Sequence, residues 1–216
     1  MVFAGGTPVT VETREADEFR LTAESLEAKI TERTKALILN YPNNPTGAIM
    51  KKKDLEEIAD VVNEHDILVI SDEIYGLLTY EGKHTCFSSL EGMKERTILL
   101  NGFSKAYAMT GWRLGFAAGN AGIIEAMMKI HQYTMLCAPV TAQVAAIEAL
   151  SAGEKYVREM VEEYDRRRRL ILKGLRDVGL DCFEPKGAFY IFPSIAVSYT
   201  HLRAHETRHD LVCRLL

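Results

Sequence analysis

The chain has 216 residues, 47% of them hydrophobic, and a formal net charge of −4. This size and composition are typical of a soluble globular protein with a sizeable core. The acidic balance argues against nucleic acid as a partner, and the basic run at 166–169 follows acidic residues in a helical pattern, as on a solvated face. No apolar run approaches the length that spans a membrane, so no membrane partner is expected.

The first residues carry neither the basic start nor the apolar stretch of a signal peptide. The four cysteines are scattered without CxxC spacing, which favours free thiols in a reducing cytoplasm. Residues 8–13 have the composition of a strand. A folded domain rarely begins so close to a strand, and we therefore expect the sequence to be truncated at its start.

Short apolar runs alternate with helical patterns along the chain. The predicted helices lie at about 21–30, 52–65, 121–133, 140–151 and 154–178, and the one at 52–65 shows the 3.6-residue apolar period. The predicted strands are short and apolar without alternation, at 35–40, 67–70, 97–101 and 114–118. Such strands, interleaved with helices, predict an α/β fold with a mostly parallel sheet that is covered by helices on both faces.

Polar residues follow three of the predicted strands. Asn44 lies just past the first strand, Asp72 closes the second, and Lys105 lies just past the third. In parallel sheets the carboxyl ends of the strands share one edge, and ligands bind beyond that edge. We therefore expect these three side chains to meet at one edge of the sheet, although they are far apart in sequence.

A lysine amine condenses with carbonyl compounds, among them pyridoxal phosphate. This cofactor needs a lysine for its aldehyde, an acid beside its pyridine nitrogen, a hydrogen-bond donor at its phenolic oxygen, and cationic or polar groups around its phosphate. The candidates for these roles, in that order, are Lys105, Asp72, Tyr75 with Asn44, and Arg113 with Ser104. No set of metal ligands is predicted within this group.

Each candidate also has an ordinary structural interpretation. Asp72 could cap a helix or shape a turn, Tyr75 could be a half-buried packing residue, and Asn44 could belong to a turn. Arg113 could form a surface ion pair, and most lysines are solvated charges. The combination of all these residues is much less expected by chance than any one of them.

Three motifs in the chain resemble the class I aminotransferases, which are pyridoxal-phosphate enzymes of the aspartate aminotransferase fold, fold type I. They are YPNNPTG at 41–47, ISDEIYGLLTY at 70–80 and NGFSKAYAMTGWRLGFAAG at 101–119. HQYTMLCAP at 131–139 and GAFYIFP at 187–193 are also similar to family segments. The resemblance covers about residues 1–195 and is closest to the bacterial and archaeal branch of the family.

The resemblance implies an enzyme that transfers an amino group between an α-amino acid and a 2-oxo acid. Lys105 would form the Schiff base with the cofactor and carry the proton between the substrate Cα and the cofactor C4′. Asp72 would pair with the pyridine nitrogen. The resemblance also implies a homodimer, and the scattered cysteines already favour the cytoplasm.

The remaining roles of the family fall on four side chains of this sequence. Tyr75 and Asn44 would bond the phenolic oxygen of the cofactor, and Asn44 would also approach the substrate carboxylate. Arg113, supported by Ser104, would bind the phosphate. Two other functions remain open at this point: a carbon–sulfur β-lyase with the same cofactor, and the non-catalytic ligand-binding domain of a transcriptional regulator.

Family members are about twice as long as this chain, so we expect a fragment with little or no activity of its own. Residues 1–172 would be part of the large cofactor-binding domain, and 173–196 the beginning of the small domain. The arginine that binds the substrate carboxylate in relatives has no candidate here.

Residues 197–216 do not follow the family pattern. His201, His205, His209 and Cys213 recur every four residues, and on a helix they would form one face with plausible zinc ligands. The segment also resembles translated sequencing-adaptor read-through, and its composition changes abruptly. We favour this second interpretation and predict that the segment binds no metal.

Overall fold

The computed structural model of the chain describes residues 1–194 and the backbone of Cys213–Arg214. The helices of the described part are α1 Ala23–Glu27, α2 Lys52–Glu64, α3 Ala121–Thr134, α4 Val140–Ala152 and α5 Glu154–Asp177. The strands are β1 Ala36–Asn40, β2 Leu68–Asp72, β3 Thr97–Gly102, β4 Gly115–Ala118, β5 Tyr190–Ile191 and β6 Cys213–Arg214. These elements confirm the predicted α/β fold.

The first four strands form one sheet in the order β1-β2-β3-β4. Strands β1, β2 and β3 are parallel, and β4 runs antiparallel to β3. Asn40 at the end of β1 is level with Asp72 at the end of β2, and Gly102 at the end of β3 is level with Gly115 at the start of β4. One edge of the sheet therefore carries the ends of three strands and the beginning of the fourth.

The main core lies on one face of this sheet. Leu39 and Val69 point to that face and are buried, together with the predicted apolar positions of α2. Helix α1 packs against α2, and its first turn is capped by Thr22, whose hydroxyl accepts from the backbone N–H of Ser25 at 3.2 Å. On the opposite face Ile38 is 47% exposed, so the covering of the sheet is uneven.

A smaller cluster joins α4 to the loop between β3 and β4. Ala142 and Ala146 of α4 are buried, and Ala146 packs with Phe103 and Met109 of that loop. Helix α3 has no buried residue in this structure. The loop is thus supported by α4.

Residues 182–191 return to α5. Leu172 of α5 packs with Cys182 and Ile191, and β5 pairs with β6 in an antiparallel arrangement. Helix α5 is continuous through residue 172. The division of the chain into domains at 1–172, 173–196 and 197–216 stays a prediction.

Two expectations from the sequence need correction. Residues 8–13 form no strand; most of them are exposed and no strand of the described residues pairs with them. The first helix is also shorter than predicted, because the cap at Thr22 starts it at Ala23 and it ends at Glu27. The histidines of the proposed zinc face lie outside the described residues. Among the residues that the structure describes, no helix has the length and apolarity to cross a bilayer.

Candidate active site at the carboxyl edge of the sheet

The predicted site residues lie on segments that begin at one edge of the sheet. Asn44 follows β1, Asp72 ends β2 and Tyr75 follows it, and Lys105 follows β3. Arg113 reaches the same edge from the other direction, because β4 is antiparallel and starts there at Gly115. The topology therefore brings together the ends that the sequence analysis predicted to converge.

Ser104, Lys105 and Arg113 share the loop that connects β3 to β4. The loop closes where Gly102 meets Gly115: a Cβ added to Gly102 would lie 2.8 Å from the Cα of Gly115. No real side chain fits at that distance. The glycine thus permits a close approach of the two strands where the loop begins and ends.

The amine of Lys105 lies between two aromatic rings. Its Nζ is 5.6 Å from the ring centroid of Tyr75 and 5.6 Å from that of Phe189. Lys105 is half-buried, and no carboxylate in residues 1–194 forms an ion pair with it. Most lysine amines are exposed to solvent. A half-buried amine that is flanked by rings and has no ionic partner is therefore unusual.

Backbone and side-chain hydrogen bonds fix the shape of the same loop. The backbone N–H of Ala108 donates to the Lys105 carbonyl at 3.2 Å, and the Thr110 hydroxyl donates to the Ser104 carbonyl at 2.8 Å. Arg113 has a positive φ of 53° and is exposed; its Nη1 donates to the Thr110 carbonyl at 2.9 Å. Its guanidinium forms no ion pair with the described residues, so the surface-pair interpretation is not realised there.

The carboxylate of Asp72 is half-buried at the end of β2. Its Oδ1 accepts from the backbone N–H of Ile74 at 3.2 Å, which is the turn role considered from the sequence. The Asp72 carbonyl accepts from the side chain of Asn40 at 3.3 Å. Within the described part of the chain no cation pairs with this carboxylate, which therefore keeps most of its capacity for a positively charged partner.

The side chain of Tyr75 is 3% exposed. Its hydroxyl oxygen lies 2.6 Å from that of Tyr190, and its ring packs edge-on against Phe189 with centroids 5.3 Å apart. Tyr75 is thus a packing residue, in agreement with its ordinary structural interpretation; its ring flanks Lys105 and its hydroxyl contacts that of Tyr190.

The loop that carries Asn44 is held by its neighbours. The backbone N–H of Asn44 donates to Oδ1 of Asn40 at 3.2 Å, and the Thr46 hydroxyl donates to Oδ1 of Asn43 at 2.8 Å. The Tyr41–Pro42 and Asn44–Pro45 peptide bonds are cis. The Asn44 side chain itself is exposed, and no described residue bonds to its amide.

A second carboxylate at the end of β2 was not singled out from the sequence. Glu73 is 3% exposed and accepts from the Ser71 hydroxyl at 2.9 Å and the Phe87 backbone N–H at 2.9 Å; its Oε2 lies 2.6 Å from Nε2 of His84. Burial alone raises the pKa of Glu73, and the hydrogen bonds from His84, Phe87 and Ser71 outweigh it and lower the pKa. The one sequence signal for this buried acceptor is the position of Glu73 directly after Asp72.

The sequence also assigns no function to the segment 185–190, although the GAFYIFP motif at 187–193 overlaps it. The Gly47 carbonyl accepts from the backbone N–H of Lys186 at 2.9 Å and of Gly187 at 3.0 Å. Gly47 needs its positive φ of 70°, and a Cβ there would lie 2.2 Å from that of Pro185. The segment is thus fixed against the YPNNPTG loop and carries Phe189 to Lys105.

No group of three or more metal-ligating side chains occurs in the described residues. The arrangement at the edge instead offers a lysine amine, a carboxylate without a cation, a tyrosine hydroxyl and an exposed arginine. Such groups can bind an anion at the arginine, a cation at the carboxylate and a carbonyl group at the lysine.

Comparison with known proteins agrees with this chemistry. The family model for aminotransferase class I and II matches residues 2–214. An aspartate aminotransferase of Pyrococcus abyssi is 54% identical over 198 residues, which are 90% of this chain and 51% of that protein. The aromatic-amino-acid aminotransferase 2 of Thermococcus litoralis is 51% identical over 198 residues, again 90% of this chain and 51% of that protein.

The solved structure of the aromatic aminotransferase from Pyrococcus horikoshii OT3 superposes with a TM-score of 0.86 at 54% identity, over 89% of this chain and 52% of that one. The chain spans about half the length of the curated relatives it matches. The family match reaches residue 214 and enters segment 197–216, whose separation from the family stays a prediction. From the motifs, the sheet topology and these matches, the chain belongs to the family of class I and II aminotransferases.

Proposed function

We propose that a full-length protein carrying this sequence, called the full-length protein below, is a pyridoxal-phosphate-dependent aminotransferase. It would transfer an amino group between an α-amino acid and a 2-oxo acid. The observation that carries this proposal is the pair of opposite charges at one edge of the sheet. Lys105 and Asp72 both lie there, and neither has an ion-pair partner among the described residues.

The described side chains fit the needs of the cofactor. Lys105 would hold its aldehyde carbon, and Asp72 would face the pyridine nitrogen, whose positive charge compensates a half-buried carboxylate. Arg113, with Ser104 from the same loop, would hold the phosphate, since a guanidinium binds phosphate oxygens bidentately. Tyr75 and Asn44 would hold the phenolic oxygen. When bound, pyridoxal phosphate supplies an electron-accepting ring next to the amino group that is transferred.

In this proposal the chain itself handles the proton at the substrate Cα. The Lys105 amine is the candidate general base, and such a base contributes roughly 10²–10⁴-fold to the rate. The ring centroids of Tyr75 and Phe189 each lie 5.6 Å from the amine, so two aromatic side chains limit where this half-buried group can move. In this proposal Lys105 therefore accepts the proton from the substrate Cα and returns it.

The substrate class follows the names of the relatives, which include aspartate and aromatic-amino-acid aminotransferases. We also propose a homodimer in the cytoplasm, as the sequence resemblance and the scattered cysteines imply. The β-lyase and the regulator domain are not favoured, because the matched relatives are named aminotransferases. An assay of pyruvate and ammonia release against 2-oxo-acid-dependent amino transfer distinguishes the lyase from the transferase.

Borohydride reduction followed by peptide mapping tests the assignment of Lys105. The full-length protein is incubated with pyridoxal phosphate and reduced, and the labelled peptide is identified by mass spectrometry. We expect the label on Lys105 and its loss in Lys105→Arg. Lys129→Arg is the matched control, because Lys129 is 70% exposed on α3 and its label and activity should match the unmodified protein. A stoichiometric label on another lysine would refute the assignment.

A further inference from the structure

Beside Lys105 lies a pair of hydroxyl groups that the family motifs did not connect. The Tyr75 and Tyr190 hydroxyl oxygens are 2.6 Å apart, and both side chains are only 3% exposed. Their rings also touch edge to face, with centroids 5.7 Å apart. Tyr75 belongs to the segment after β2, whereas Tyr190 belongs to β5, so two distant parts of the chain meet in this contact.

The direction of this hydrogen bond follows from the surroundings of Tyr190. Each hydroxyl has one proton, so either tyrosine could be the donor. Within residues 1–194, Tyr75 is the one hydrogen-bond partner of the Tyr190 hydroxyl. If Tyr190 only accepted, its own O–H would be buried without an acceptor, which is unfavourable. The O–H of Tyr190 therefore donates to the oxygen of Tyr75.

Tyr190 is held in place by backbone contacts that do not involve its hydroxyl. The backbone N–H of Ala188 donates to the Leu78 carbonyl at 2.9 Å, and that of Tyr80 donates to the Lys186 carbonyl at 2.8 Å. The Tyr80 hydroxyl donates to the Ala188 carbonyl. The segment before β5 is thus fixed to the segment that carries Tyr75. These contacts keep the two hydroxyl groups within hydrogen-bond distance.

We propose that Tyr190 is a positioning residue for Tyr75: by donating to the Tyr75 oxygen, it directs the proton of Tyr75 toward an anionic oxygen bound beside Lys105. The inference rests on the proposed function, in which that oxygen is the phenolic oxygen of the cofactor. A hydroxyl that accepts one hydrogen bond becomes a stronger donor in the next, because bonds in a chain polarise one another. Tyr190 therefore acts on the cofactor through Tyr75, without contact of its own.

The test measures the pH midpoint at which the absorbance band of bound pyridoxal phosphate changes in the full-length protein. A donor at the phenolic oxygen favours its ionised form and lowers this midpoint. Tyr75→Phe should raise the midpoint by about one unit, since one hydrogen bond and one pKa unit correspond to similar free energies. Tyr190→Phe should raise it by about 0.3–0.5 unit, as expected for loss of cooperative strengthening.

The double variant distinguishes an action through Tyr75 from an independent one. In a Tyr75→Phe background, Tyr190→Phe should shift the midpoint no further, because the acceptor hydroxyl is already absent. Tyr80→Phe is the matched control: it removes another hydroxyl bond of the same segment, and it should shift the midpoint less than Tyr190→Phe because the two backbone bonds still hold the segment. The phenylalanine keeps the ring in each variant, so thermal unfolding should confirm that all of them fold.

Two outcomes would overturn the role of Tyr190. One is an unchanged midpoint in Tyr190→Phe, and the other is an equal shift with and without the Tyr75 hydroxyl. Failure of the proposed function gives a different result, because the unmodified protein would then show neither the absorbance band of bound cofactor nor a borohydride label on Lys105. The two failures are therefore distinguishable in one set of samples.

Discussion

Two carboxylates follow one another at the end of β2, and their surroundings are opposite. Glu73 is buried and accepts from the Ser71 hydroxyl and the Phe87 backbone N–H, with His84 2.6 Å away. Asp72 is half-buried and has one backbone donor, the N–H of Ile74 at 3.2 Å. The hydrogen bonds of Glu73 therefore stabilise the fold, whereas the carboxylate of Asp72 remains available to a ligand.

A similar difference between paired and unpaired charges separates helix α5 from the carboxyl edge of the sheet. On α5 the Glu163 carboxylate pairs with Arg166 and Arg167 at 2.7 Å each. At the carboxyl edge of the sheet, by contrast, Lys105 has no ionic partner among residues 1–194. Charges that satisfy one another stabilise structure, whereas half-buried charges without partners cost stability and are retained where they bind or react.

Asp72→Asn should give the largest effect and should act on function alone. We expect aminotransferase activity of the full-length protein to fall by about 10²–10³-fold, because a neutral amide stabilises a charged ring poorly. The free energy of unfolding should change by less than about 0.5 kcal/mol, since the bond from the Ile74 N–H is retained. Steady-state kinetics and denaturant unfolding measure the two. A large loss of stability would show that Asp72 is a structural residue.

Glu73→Ala should reverse this pattern. The change leaves the Ser71 hydroxyl, the Phe87 N–H and the His84 ring without their acceptor, at a cost of about 2–3 kcal/mol in the free energy of unfolding. Denaturant unfolding of the variant checks this. Glu56→Ala on α2 is the control, because Glu56 is half exposed and pairs with Lys52 at 3.4 Å on the surface; its cost should be below about 1 kcal/mol. Equal costs would contradict the structural role of Glu73.

Arg113→Lys should weaken cofactor binding by about tenfold in Kd, because a lysine keeps the charge and loses the bidentate geometry. Titration of the apoprotein with pyridoxal phosphate measures this effect. Arg166→Lys on the exposed face of α5 provides the matched control and should leave the Kd unchanged. A change in Kd of the same size in both variants would point to a general charge effect.

The smallest effect concerns pH. The lowered pKa of Glu73 means that its contribution to stability is fully present above the ordinary value of 4.5 and is lost as the pH falls through the lower folded-state value. The difference in the free energy of unfolding between the unmodified protein and Glu73→Gln should therefore shrink as the pH falls below 4.5. Denaturant unfolding at several pH values measures it. A difference that grows on acidification would contradict the assigned direction.

The sheet and the long helices could be predicted from the sequence because each depends on a local pattern. Apolar runs without alternation predicted β1, β2 and β3, and the apolar period predicted α2. The convergence at the carboxyl edge was inferred from parallel pairing, and the register confirms that β1, β2 and β3 pair in parallel. Residues 8–13 show the limit of this reasoning, since a strand-like composition forms no strand without a partner edge.

The tertiary partners of the site could not be predicted. Glu73 contacts His84 because the intervening segment folds back onto it. Tyr75 contacts Tyr190 because β5 returns to the edge of the sheet. No local spacing encodes such contacts between distant segments. The GAFYIFP motif marked the right segment, but only the structure connects Phe189 with the amine of Lys105.

The two hydrogen bonds that the Gly47 carbonyl accepts from Lys186 and Gly187 have a consequence for the order of folding. During synthesis β1, β2 and β3 leave the ribosome before the segment at 185–190, because the chain is made from its amino end. The contact at Gly47 must wait until residues 186 and 187 have also left the ribosome, because both partners have to be present. Nascent chains that stop before residue 186 should therefore possess the sheet while Lys105 still lacks its aromatic neighbour Phe189.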